Sequence, residues 1–186
     1  GQVRRKQMFA AVDLHGMNDR IDRGEPFQEV IYAEAQRIPE YRDEIRMWHD
    51  NWIEMAQPEI PQSVHLLRSL RSKGVVVFAL TNFGLESFAY AQSQYPFLHE
   101  FDHAYVSGHM KVIKPDPMIY QMVEKHSGLA PETLLLTWPS FVTRPQVETA
   151  CPTLRGGMQV MLERAPWLRS KVGCAKGTPC RLSLMK

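Results

Sequence analysis

No run of about 18 consecutive apolar residues occurs anywhere in the 186-residue chain, so the sequence offers no helix able to cross a membrane. Cysteine is scarce. Cys151, Cys174 and Cys180 form an odd set confined to the last quarter, without the paired spacing of a zinc site. That usage argues against a disulfide framework and predicts a reducing, cytoplasmic setting. Met8 to Val12 is too short an apolar stretch for a signal-peptide core, and Asp13 follows it at once. Acid is lacking toward the C-terminus, where the last aspartate is Asp116. Residues 134–186 carry 8 Lys+Arg against 2 Asp+Glu, a net of +6, whereas residues 1–133 carry 14 against 18, a net of −4. A basic tail is a nucleic-acid signal. Over residues 144–186, on which that signal rests, aromatic residues are not interleaved with the basic ones, which disfavours that partner.

What remains is ordinary for a globular chain: 44% hydrophobic and 23% charged residues. The length suits one well-packed domain, or one domain with a small insert.

The chain reads as three zones. Residues 1–57 carry apolar residues at helical spacing, notably over 26–35 and 41–55. Trp48, Trp52 and Met55 fall at i, i+4 and i+7, a single stripe that suits core, a lid over a pocket, or a homodimer surface. Residues 58–136 alternate between the two periods. Pro61 opens a helix that Lys73-Gly74 closes, and Val75 to Leu80 is a continuous apolar run suited to a strand buried on both faces. A helix over 85–94, a strand over 104–107, a helix over 117–126 and a strand over 134–136 follow. Helices between buried strands predict right-handed crossovers and a Rossmann-like, doubly wound parallel α/β sheet. Ligands in such sheets sit beyond the carboxyl ends of the strands, where Thr81 and Asn82 lie. Residues 137–186 are irregular, with prolines at 139, 145 and 152 and a short strand within 156–162.

Two segments could carry chemistry. Thr81 and Asn82 follow the apolar run directly, and a hydroxyl and an amide at a strand end can hold an anion's oxygens, or cap the next helix. Lys114 precedes Pro115-Asp116-Pro117. The prolines fix the backbone, so the lysine leaves from a rigid point and can neutralise a substrate anion; the plainer reading is a solvated lysine. Asp116 suits the cap of the helix beginning at Pro117. Histidines at 49, 65, 99, 103, 109 and 126 are scattered and suggest no metal site.

The order strand-Thr81-Asn82, helix, Phe97-Leu98-x-x-Phe101-Asp102, Val106-Ser107-Gly108, then Lys114-Pro115-Asp116-Pro117-x-Ile119-Tyr120 resembles subfamily I of the haloacid dehalogenase-like (HAD) hydrolases, from about Arg23 to Leu136. The resemblance implies a Rossmann-like core over 58–186 and a helical cap over 1–57. It implies hydrolysis of a small anionic substrate, a phosphate monoester or a 2-haloacid, through an aspartyl-enzyme intermediate. Thr81 and Lys114 take catalytic places; Thr81, Asn82, Lys114 and Ser140 bind substrate; phosphatase members also use Mg2+.

The family's nucleophile is the first aspartate of an Asp-x-Asp motif upstream of the cap, and no matching strand precedes residue 13. Asp13-Leu14-His15 follows a helical pattern instead. After Leu134 to Thr137, the places of the family's last acids hold Trp138 and Pro139, which cannot ligate a metal. No cofactor is evident in the chain itself. These departures predict a fragment, or a frame error over 138–156, with impaired catalysis, or an inactive relative that binds an anion or a partner.

Overall fold

A computed structural model describes residues 1–137 and 159–163. The first fifty-odd residues are helical, as their periodicity predicts: α1 (Gln2–Ala11), α2 (Leu14–Asp22), α3 (Phe27–Arg37), a 3-10 turn over Pro39–Tyr41, α4 (Arg42–Asp50) and α5 (Trp52–Met55). Asp13 caps α2 by accepting from the Gly16 N–H at 2.9 Å. Met17, Ile21, Phe27, Val30, Ile31, Ala35, Tyr41 and Ile45 bury their apolar faces in one cluster. Trp48 and Trp52 pack on it, while Met55 is exposed. The helix breaks at Asn51, so the i+7 spacing no longer holds Met55 on the stripe of Trp48.

The remaining described elements are α6 (Pro61–Arg71), β1 (Val77–Thr81), α7 (Leu85–Gln94), a 3-10 turn over Pro96–His99, β2 (His103–Val106), α8 (Ser107–Met110), α9 (Pro117–Ser127), a 3-10 turn over Pro131–Thr133, β3 (Leu134–Thr137) and β4 (Gln159–Glu163). Asp116 caps α9 through the Met118 N–H, and Gly128 ends it in the left-handed conformation that glycine adopts freely. Every residue of β1 is buried, matching its unbroken apolar run.

The sheet corrects the expected architecture. Its order is β2-β1-β4-β3. Only β1 and β2 pair in parallel, and β4 runs antiparallel to both β1 and β3. The described residues are mostly helical and carry one small mixed sheet, not a doubly wound parallel one. The apolar runs marked the strands correctly, but β4 pairs against the direction of its neighbours. Run hydrophobicity reports burial and does not report strand direction. The proline-rich stretch 138–156 lies outside the described residues.

The helical region is tied to the sheet by polar contacts between distant parts of the chain. Glu86 on α7 accepts from the Phe27 and Gln28 N–H groups at 3.0 and 3.3 Å, covering the open N-terminus of α3. Lys111 donates to Gly24 O at 3.2 Å. Gly24 has φ of 91°, and a Cβ there would stand 2.5 Å from Gly108 O, so only glycine fits this close approach. Among the described residues, no helix is long and apolar enough to cross a membrane.

Candidate functional site at the end of the first strand

β1 delivers Thr81 to its carboxyl end with the side chain buried, 1% exposed. The Thr81 hydroxyl makes one long contact, 3.5 Å to Asn82 O, and so keeps most of its bonding capacity. Asn82 does not cap the following helix, whose N-cap is Gly84. Its amide instead clamps the Lys114 backbone. Asn82 Nδ2 donates to Lys114 O at 3.0 Å, and Lys114 N donates to Asn82 Oδ1 at 2.8 Å. The two motifs recognised in the sequence are thus joined side by side through one carboxamide. The Lys114–Pro115 peptide is cis.

Lys114 is not a solvated lysine. Its Nζ donates to Leu80 O at 3.1 Å, the carbonyl next to Thr81. Burial pushes its pKa down from 10.5 to about 8, against an opposing pull from Asp22. Asp22, the last residue of α2, is not singled out by any pattern in the sequence. It is 7% exposed, and burial pushes its carboxyl up to about 6. Asn18, which donates to Asp22 Oδ2 at 2.7 Å, and the positive charge of Lys114 both pull it back down, while Asp19 adds to the rise. Asp22 and Lys114 therefore feel each other's charge, and each favours the ionised form of the other.

Ser107 completes the setting. Fully buried after β2, its hydroxyl donates to Asp22 O at 2.6 Å and accepts from Phe83 N at 2.9 Å. One side chain thereby holds the end of α2, the turn after β1 and the end of β2 together. Asp102, in the Phe101-Asp102 element of the resemblance, serves the other end of the strand. It accepts from Val77 N at 2.8 Å, and its own N–H reaches Val77 O at 2.9 Å.

Of the sequence-predicted residues, Thr81, Asn82 and Lys114 gather at the end of β1, and Ser140 lies outside the described residues. Asp22 is legible in the sequence only as an acid beside the apolar positions Met17 and Ile21. Nothing in the one-dimensional pattern places the end of α2 against residues some ninety positions later. Chemically, the arrangement presents a half-buried ammonium, a hydroxyl with bonding capacity to spare and one carboxyl that is hard to ionise. It suits an anion whose charge favours the protonated lysine.

The described residues here do not fit magnesium. Asp22 is one carboxylate, already engaged by Asn18 and beside an ammonium group, and no set of three His, Cys, Asp or Glu ligands occurs among the described residues. Set against family models, curated proteins and solved structures, the chain matches none of them.

Proposed function

We propose that this chain is a HAD-like protein that binds a small anion, a phosphate monoester or a 2-haloacid, at the end of β1 through Thr81 and Lys114. Asn82 acts there by fixing the lysine's backbone. One observation carries the reading: Asn82 holds Lys114 at the strand tip, where its ammonium lies against the carbonyl next to Thr81 and burial works against its charge. An arriving oxyanion would favour the charged lysine and offer an acceptor to the threonine hydroxyl. In the parent chemistry such a lysine balances an aspartyl-enzyme hydrolase site in a cytoplasmic setting.

A second reading, an inactive relative that binds without turnover, is favoured by Asp22. Asp22 ends a helix rather than a strand, and its Oδ2 is already engaged by Asn18, so it does not stand where the parent family's nucleophile would. The two readings share the binding step and differ in the chemistry that follows.

The test combines binding and turnover. Inorganic phosphate and 2-chloropropionate are titrated into the wild-type chain and into Lys114→Met, with hydrolysis of an aryl phosphate and dehalogenation followed in parallel. Binding weakened at least tenfold by the substitution supports the site. Turnover that disappears in Lys114→Met assigns the hydrolase reading, and binding without turnover assigns the inactive one. Affinity unchanged in Lys114→Met overturns both.

A further inference from the structure

A cleft of about 290 Å³ opens between α3 and α4, lined by Tyr32, Ala35, Gln36, Arg42 and Arg46. It is built from the helical region alone and stands apart from the strand-tip site. Arg42 and Arg46 are one turn apart on α4, so both cations project along one side of that helix. Across from them, α3 presents the Gln36 amide, the Tyr32 ring and a floor at Ala35.

Three features point to a ligand. Among the described residues neither arginine forms an ion pair, although Arg4, Arg20, Arg37, Arg68 and Arg71 all do. The Arg46 guanidinium lies over the Tyr32 ring, 4.3 Å from its centroid, which fixes the plane of the fork. And Arg46 Nε is buried with no hydrogen-bond partner. A buried donor of a charged group left unmet is costly, and native structures normally satisfy it with protein, water or a bound ion.

Acids near the cleft do not supply the partner. Asp50 accepts from the Tyr32 hydroxyl at 2.8 Å and stands 2.9 Å from His49 Nδ1; behind the Tyr32 contact, Asp50 and then Asp43 act on Arg46 only through their charge. The volume lies at the lower end of small-molecule sites and suits a small ligand.

We propose that this cleft binds a small oxyanion, with Arg46 and Arg42 as its cationic forks and the Gln36 amide as a further donor. The planar carboxylate of an organic acid and a phosphate share that chemistry. The site lies within the helical region and does not depend on the reading given for the strand tip.

Calorimetric titration of the intact chain at low ionic strength, with inorganic phosphate in one arm and succinate in the other, tests the proposal. Saturable millimolar binding of either is expected, and the tighter arm identifies the oxyanion. Measured with Lys114→Met present in every protein, so that the strand-tip site does not contribute, Arg42→Gln/Arg46→Gln should weaken it at least tenfold. Arg46→Lys, which keeps the charge but not the fork, should fall between wild type and the double variant. Far-UV circular dichroism and thermal melts confirm that the variants fold, and Arg46→Lys serves if the double variant does not. Absence of saturable binding in both arms, or binding undiminished when Arg42→Gln/Arg46→Gln is added to Lys114→Met, would overturn the proposal.

Discussion

Asp22 and Lys114 are charged groups placed where charge is disfavoured. Such positions cost stability and are typical of sites kept for function. The cost has a sign that can be worked out. The folded-state pKa of Asp22 is raised from 3.8 to about 6, so the folded chain binds its proton more tightly than the unfolded chain. Below about pH 4 both states are protonated and the group costs nothing. Between about 4 and 6 the unfolded state loses its proton first, and stability falls as pH rises; above about 6 the full cost is present. Asp22→Asn removes this titration. Each pH unit between the two pKa values is worth roughly 1.4 kcal/mol, so the stability difference between Asp22→Asn and wild type should grow by up to about 3 kcal/mol from pH 4 to pH 7. Denaturant melts across that range check it. A difference that stays flat with pH would place Asp22 in water and remove it from the site. The same variant strips Lys114 of a negative neighbour, so the lysine's pKa should fall further below about 8.

The informative element is α3, a helix whose start is covered from elsewhere in the chain. Pro26 stands at its N-cap and offers no side-chain acceptor, and Glu86 on α7 takes that place. Glu86→Ala should destabilise the chain by about 0.5–2 kcal/mol, the usual worth of a cap with a carboxylate near a helix N-terminus. Glu29, in the first turn of α3, gives the control, since its removal disturbs the helix charge without opening the two N–H groups. Equal melts for the Glu86 and Glu29 alanine variants would show that the contact contributes nothing. Periodicity over 26–35 made α3 readable as a helix. The partner of its open end lies 59 positions away, beyond any local pattern.

At the scale of the molecule, Trp52 joins the helical region to the turn after β1 and to α7. Its ring meets Phe83 at 5.5 Å and Tyr90 at 6.4 Å between centroids, while the side chain packs on the helical core. Aromatic pairs contribute about 0.5–1.5 kcal/mol each beyond burial. Trp52→Ala removes a half-buried ring and should cost about 1–3 kcal/mol in all if the two halves unfold together. Wild type should show coincident transitions by far-UV and near-UV circular dichroism, and the variant a single transition at lower denaturant. Two separated transitions in wild type would mean that the halves fold independently and that Trp52 does not couple them.

The sequence by itself determined where the helices and strands lie. Helical spacing, apolar runs and the stops at Gly74 and Gly128 depend on neighbours within a few residues. It marked Thr81-Asn82 and Lys114 separately, as a strand end and a proline-braced turn; that Asn82 clamps the Lys114 backbone was decided by the packed structure. Only the tertiary structure decided the direction of β4, the burial of Asp22 beside Lys114 and the gathering of Arg42 and Arg46 with Gln36 around one cleft. Strand polarity, desolvation and the meeting of two helix faces depend on groups far apart in the chain. Their free energies exist only once those groups are packed together.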